Sequence, residues 1–146
     1  MTDPSPDSVL PEGVPLHRLT MNVRWGDMDA LGHVNNIMYF RYFEQIRIAW
    51  YEGAGFDPLG SGDQGMIIVD NHAEYLKPVH YPAALDIRMA AHSPGRSSFV
   101  TTYTIVIDQT LVTRGSSKVV WIDQKAGRSM PLPDGLRAQL DGVTHA

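Results

Sequence analysis

No cysteine occurs anywhere in the chain. Disulfides, thiolate metal sites, iron–sulfur clusters and a cysteine nucleophile are therefore excluded, and the composition fits a cytoplasmic location, where thiols stay reduced. No apolar run approaches the roughly 18 residues that span a bilayer. Residues 1–13 are rich in Pro, Ser and Asp, unlike a signal peptide or an anchor, so no membrane partner is expected. Basic charge is also scarce, with 12 Lys and Arg against 16 Asp and Glu and a net charge of −4 with His neutral. Such a chain has no global field to draw in nucleic acid, and none is expected as a partner. A phosphate-bearing ligand must then be held by a few local cations. The six histidines form no HxxxH pair, and no Walker loop, dinucleotide loop or Gly-x-Ser-x-Gly elbow is present. Neither a metal nor a bound cofactor is expected.

What is present suits one compact unit. The 146 residues are 43% hydrophobic and 19% charged, enough for a single core. Residues 1–14, with Pro4, Pro6 and Pro11, read as a flexible arm that buries too little to offset its ordering entropy. Residues 15–141 form the domain and 142–146 a tail, with a short helical turn over 134–140. One long helix is predicted, opened by Asn35 and Asn36 and closed by Gly53 and Gly55. Tyr39, Phe43, Ile46 and Trp50 form its apolar stripe, and Arg41, Glu44, Gln45, Arg47 and Glu52 its polar positions. Its length of about 25 Å crosses a small sheet.

Strands are predicted over 16–25, 65–76, 85–91, 97–108 and 111–123, bounded by Pro, Gly and Asn/Asp corners. The strand over 97–108 is apolar or Thr-rich in both registers, so it is expected to be covered on both faces, by the helix and by a second subunit. The fold class is thus α+β, an antiparallel sheet of about five strands wrapped around one central helix. Glycines at 53, 55, 60, 62 and 65 suggest a mobile loop able to act as a lid.

The densest chemistry lies between the first strand and the helix. Over residues 23–36 two carboxylates, Asp27 and Asp29, join His33 and the carboxamides of Asn35 and Asn36 in a glycine-broken turn. This turn runs into a helix N-terminus, where free N–H groups and the dipole stabilise an oxyanion. A carboxylate there can take a proton from water or attack an acyl carbon. The equipment suits acyl transfer or hydrolysis. The structural alternative is that the Asn residues cap the helix and the Asp residues bind turn amides.

The pattern Val23-Arg24-Trp25, Asp27-Met28-Asp29, Gly32-His33-Val34-Asn35-Asn36, Tyr39, Tyr42 and Glu44 resembles the signature of hotdog-fold acyl-CoA thioesterases of the 4-hydroxybenzoyl-CoA thioesterase-like family. Weaker similarity continues through Glu74-Tyr75-Leu76-Lys77-Pro78-Val79, Gly95-Arg96-Ser97-Ser98-Phe99 and Val119-Val120-Trp121-Ile122-Asp123. The resemblance implies a hotdog domain, a homodimer or homotetramer with protomers joined edge to edge, active sites at the subunit interface, and an acyl-CoA substrate hydrolysed to free acid and CoA. It makes Asp29 the catalytic carboxylate, as base or nucleophile, and the backbone amide of Asn36 the group that polarises the thioester carbonyl.

The roles of His33 and of the Arg96 turn are carried over in the same way, and those of Glu44, Tyr39, Phe43 and Asp27 are read from their positions. His33 resembles the histidine of plant acyl-carrier-protein thioesterases, a donor to the carbonyl or the leaving thiolate. Leu31, however, stands where those enzymes place an Asn. Glu44 is a further catalytic candidate, with an i,i+3 pair to Arg41 or Arg47 as its structural alternative. Tyr39 and Phe43 are expected at the substrate pocket or in the core, and Asp27 is expected to brace the turn or pair with Arg24. Arg96, with Ser97 and Ser98, is the expected contact for the CoA phosphates, with Lys77 and Lys118 as lesser options. Two other functions fit the fold: a non-catalytic acyl-CoA-binding module, which would dispense with Asp29, and an enoyl-CoA hydratase, whose Asp/His setting is not found.

Overall fold

The computed structural model describes residues 9–60 and 62–142. Strand β1 (Val14–Asn22) and a 3-10 turn (Trp25–Asp27) lead to helix α1 (Met38–Gly53). Strands β2 (Gln64–Tyr75), β3 (Ala84–His92), β4 (Ser98–Ile107), β5 (Thr110–Asp123) and β6 (Arg128–Ser129) follow, and then helix α2 (Asp134–Leu140). The long strands pair antiparallel in the order β1-β3-β4-β5-β2, and β6 adds to β5. Because α1 touches both edge strands, β1 and β2, as well as β3, the sheet wraps around it. This is the hotdog arrangement. The expected strands are all present, with bounds moved by at most three residues, and α2 covers the expected C-terminal turn.

The stripe on α1 behaves as its spacing dictates: Tyr39, Phe43, Ile46 and Trp50 are all buried. Phe43 stacks flat on Tyr103 of β4, centroids 4.4 Å apart, and Trp50 packs edge-on against Phe99. Arg47 departs from the expected polar face. It is buried, donating to the Tyr103 hydroxyl at 3.0 Å and to Ser117 Oγ at 3.2 Å. Polar groups on the inner faces of β4 and β5 supply what water would have supplied, so a guanidinium is tolerated inside.

Three expectations are corrected. The helix starts at Met38 rather than at Asn35 and Asn36. Asn35 builds the preceding turn instead, its Oδ1 accepting from Ile37 N at 3.3 Å and its carbonyl from Met38 N at 2.9 Å. The arm is not loose over residues 9–13. Thr104 Oγ1 donates to the Val9 carbonyl at 2.7 Å and Thr102 Oγ1 to that of Glu12 at 2.6 Å. Thr102 and Thr104 point away from the helix, so at these positions the chain's own segment supplies the outer cover of β4. Residues 1–8 lie outside the described residues. In the glycine-rich loop after α1, Phe56 is anchored rather than free, stacking on Tyr51 at 4.9 Å and meeting Trp121 at 5.0 Å. It also sits at the far end of α1 from the turn over residues 23–36, about 24 Å away at 1.5 Å per residue.

Gly115 of β5 lies beneath the Phe43 ring, and a Cβ there would overlap that ring and the His72 carbonyl. Phe43 is fully buried and cannot swing aside. Gly115→Ala is therefore expected to destabilise the domain by about 1–3 kcal/mol, read as a lower midpoint in thermal or urea unfolding.

Candidate active site

Beyond β1 the chain is drawn inward by a buried charge. Asp27 is 3% exposed, and its Oδ2 accepts from the Tyr42 hydroxyl of α1 at 2.8 Å and from Arg24 N at 3.0 Å. Arg24 Nε lies 3.3 Å from Oδ1. Burial and the Asp27 hydrogen bond push the Tyr42 phenol well above its ordinary range, so it remains a donor. Residues 28–34 then form a small hairpin. Met28 bridges Val34, Asp29 N donates to the His33 carbonyl at 2.8 Å, and Gly32 turns the corner with φ of +83°.

The hairpin is clamped against the segment after β2. Val34 N donates to the Val79 carbonyl at 2.8 Å, His80 Nδ1–H to the Gly32 carbonyl at 2.9 Å, and Tyr81 N to Met28 Sδ at 3.3 Å. The His80 bond fixes which ring nitrogen carries the proton. Its ring also meets that of His33 edge-on, with centroids 5.0 Å apart.

Beside this hairpin opens a cleft of about 330 Å³ that Asp29, His33, Asn36 and Tyr39 share with Tyr75 and Lys77. Asp29 is half-buried, and its Oδ1 accepts from Leu31 N at 2.9 Å. Oδ2 has no partner among the described residues and is available to a water or an acyl carbon. The N–H of Asn36 also makes no hydrogen bond among the described residues, and it sits just ahead of α1, where the helix dipole favours negative charge. Asp29 and Asn36 thus line one cleft, and a carboxylate oxygen with a free amide is a pair chemically able to attack a carbonyl and support its oxyanion. Burial, with the neighbouring Tyr75 adding to it, raises the Tyr39 phenol above its ordinary value, so both rings present neutral aromatic wall.

Comparison with known proteins gives this geometry a context. The profile of the thioesterase-like superfamily matches residues 23–140. The chain belongs to the thioesterase-like superfamily. It is 31% identical over 140 residues to a 1,4-dihydroxy-2-naphthoyl-CoA hydrolase of Synechococcus sp. (strain CC9605), covering 87% of this chain and 91% of that one. The solved PA2801 protein of Pseudomonas aeruginosa superposes with a TM-score of 0.80 at 38% identity, over 85% of this chain and 97% of that one. At 19% identity a DHNA-CoA thioesterase of Staphylococcus aureus shares the fold, with a TM-score of 0.78 over 87% of this chain and 89% of that one. The chain is a thioester hydrolase.

Within this thioesterase-like domain the sequence-derived residues separate into groups. Asp29, His33, Asn36 and Tyr39 meet in the cleft. Phe43 does not: it is fully buried in the core between Gly115 and Tyr103, because the stripe that carries Tyr39 turns inward one turn later. Glu44 faces solvent and holds Arg41 at 3.0 Å, the i,i+3 pair weighed as its alternative. Arg96, Ser97 and Ser98 lie in the turn between β3 and β4, at the other end of the sheet. Ser98 is opposite Val120 and Tyr75 opposite Thr113, a separation of about 23 Å at 3.3 Å per residue. That turn is braced from the C-terminal segment. Leu132 N donates to the Arg96 carbonyl at 2.9 Å, and the Arg137 guanidinium donates to the carbonyls of Gly95 and Arg96.

Tyr75 and His80 received no role from the sequence, and Lys77 only a minor one at the phosphates. All three depend on β2 ending beside the 28–34 hairpin, and no local pattern reports that pairing. Among the described residues no group of His, Asp and Glu is arranged to hold a metal ion, and no helix is long and apolar enough to cross a membrane. A larger groove, about 530 Å³, lies on the opposite face of the sheet between residues 10–12 and His72, Glu74 and Arg114.

The Tyr42 hydroxyl donates to a carboxylate that, like Tyr42 itself, is buried. Tyr42→Phe is expected to cost about 1.5–3 kcal/mol of stability in urea unfolding, with the ring packing retained.

Proposed function

We propose that the chain hydrolyses an acyl-CoA thioester to the free carboxylic acid and CoA, with Asp29 and the Asn36 amide as the reacting pair. The observation that carries this reading is that one cleft is lined both by Asp29, which has an oxygen unpartnered among the described residues, and by Asn36, whose N–H ahead of α1 is likewise unpartnered. Acting as base, Asp29 takes a proton from water as the water oxygen bonds to the thioester carbon. The carbonyl π pair moves onto oxygen and is stabilised by the Asn36 N–H. Collapse restores the carbonyl, breaks the C–S bond and returns the proton to the leaving thiolate. As nucleophile, a carboxylate oxygen would bond the carbon directly while the C–S bond breaks and CoA leaves as thiolate. Water would then cleave the resulting mixed anhydride, releasing the acid and restoring the Asp29 carboxylate, with the proton left over going to the thiolate. His33, half-buried and lining the same cleft, is the proposed donor to the carbonyl or to the departing sulfur.

The acyl group is proposed to rest against Tyr39 and Tyr75, whose rings meet edge-on at 4.9 Å. The name of the Synechococcus relative, a 1,4-dihydroxy-2-naphthoyl-CoA hydrolase, favours aromatic acyl groups as the first to test. The CoA phosphates are assigned to the Arg96 turn of a second protomer. Strand β2 is an edge strand of the sheet, with Ile67 42% and Val69 57% exposed. Antiparallel pairing of two such edges carries the Arg96 end of one sheet toward the Asp29 end of the other. A homodimer joined at β2 would therefore bring close the cation that lies about 23 Å away within one chain.

The test is thiol release from a panel of aromatic, short-chain, long-chain and branched CoA thioesters. Wild-type protein is expected to turn over one class, and Asp29→Asn to lose at least about a thousandfold in kcat while still binding substrate. An Asp29→Asn variant with wild-type turnover overturns the assignment.

A further inference from the structure

The Asn36 amide can support an oxyanion only if it is held still, and most of what holds it is local. The peptide that carries this N–H has the Asn35 carbonyl at its other side, and that carbonyl accepts from Met38 N at 2.9 Å. Asn35 Oδ1 accepts from Ile37 N at 3.3 Å. These bonds lie within four residues, and the turn is joined to the hairpin by Asn35 N, which donates to the Asp27 carbonyl at 2.9 Å, while Asn36 and Ile37 are both exposed and Ile37, the residue before α1, makes no side-chain cap. One side chain of the sheet reaches this turn among the described residues. The Tyr75 hydroxyl, at the end of β2, donates to the Asn36 carbonyl at 2.9 Å across 39 residues of sequence.

Tyr75 is itself well fixed. Its backbone pairs with Thr113, and the next two amides, Leu76 N and Lys77 N, both donate to the Val112 carbonyl, at 2.9 and 3.2 Å. Its ring is held edge-on by buried Tyr39, and partial burial raises its phenol above the ordinary value, so that it is a donor at any working pH. It also lines the cleft that contains Asp29.

We propose that Tyr75 is a positioning residue of the thioesterase reaction, tying the Asn36 turn to the sheet so that the Asn36 N–H stays aimed at the thioester oxygen. The proposal rests on the reading of Asn36 and Asp29 given above. Its energetic logic is that of a preorganised oxyanion donor: the Tyr75 bond is present before substrate arrives, and losing it leaves the amide in place but less well aimed. The consequence is a loss in kcat with little change in KM, because substrate contacts outside the carbonyl are untouched.

Tyr75→Phe removes one oxygen and keeps the ring against Tyr39. On the CoA thioester that the wild-type protein turns over fastest, kcat is expected to fall about 5- to 30-fold, with KM within twofold and an unchanged thermal midpoint. Asn36→Pro deletes an N–H that has no partner among the described residues, and is expected to lower kcat by about a hundredfold or more. Added to Asn36→Pro, Tyr75→Phe should cost nothing further. An unchanged kcat in Tyr75→Phe overturns the proposal, as does an undiminished second loss in the double variant, or a fall in KM, stability and kcat together. If Asn36→Pro does not fold, the kcat, KM and midpoint of Tyr75→Phe decide alone. Asp29→Asn run alongside separates the two failures. A wild-type-like Asp29→Asn removes the reading of the site, whereas an inactive Asp29→Asn beside an unimpaired Tyr75→Phe removes only the role of Tyr75.

Discussion

Much in this domain depends on one buried carboxylate. Asp27 lies at 3% exposure, and a charge in that position persists only if its oxygens are bonded. The Tyr42 hydroxyl and the Arg24 amide bond one oxygen, and the Arg24 side chain approaches the other. The result joins the end of β1 to α1 directly, through two residues 15 apart in the chain. The Asp27 carbonyl then accepts from Asn35 N at 2.9 Å. Both ends of the 28–34 hairpin are thereby fixed to α1, and Asp29 and Asn36 come to face one cleft.

Around that fastening, α1 and the sheet meet through an alternation of bulk and absence. Phe43 lies flat between the Tyr103 ring and the bare Gly115 backbone, and Trp50 sits against Phe99 one ridge further along. Arg47 shows that helical position alone does not settle what is polar. It enters the same interface because Tyr103 and Ser117 offer acceptors, with Ser117 in turn donating to Asn71 Oδ1 at 2.6 Å. On the other side of β4 the cover over Thr102 and Thr104 is the chain's own residues 9–12, bound through backbone carbonyls. A Thr hydroxyl in a strand can be buried cheaply when a passing backbone accepts its hydrogen bond.

The chemical groups are divided between the two ends of the sheet. Asp29, His33 and Asn36 stand where β2 ends, and the Arg96 turn stands where β4 begins, braced by Arg137 and Leu132. Such a division suits a substrate that is long and bipartite, with a reactive acyl end and an anionic nucleotide end. In the proposed dimer the exposed β2 edge would take a functional role, since two antiparallel edges bring unlike ends together.

Local features were legible in the sequence wherever the physics is local. The period of Tyr39, Phe43, Ile46 and Trp50 and the Pro and Gly corners between strands sufficed for the fold class and the element order, and the spacing of Asp29, His33 and Asn36 for their meeting at one cleft. The Asp27–Arg24 brace and the Glu44–Arg41 pair were visible for the same reason, both partners lying within one turn. What tertiary structure alone decided involves partners far apart in the chain. Phe43 went to the core, Arg47 was buried, residues 9–12 lay down on β4, and Tyr75 reached Asn36 across 39 residues. Periodicity reports which face of an element is apolar. The registers that bring β2 to the hairpin and β4 under the N-terminal segment are set by packing and hydrogen bonds between distant segments, and no spacing within a single segment encodes them.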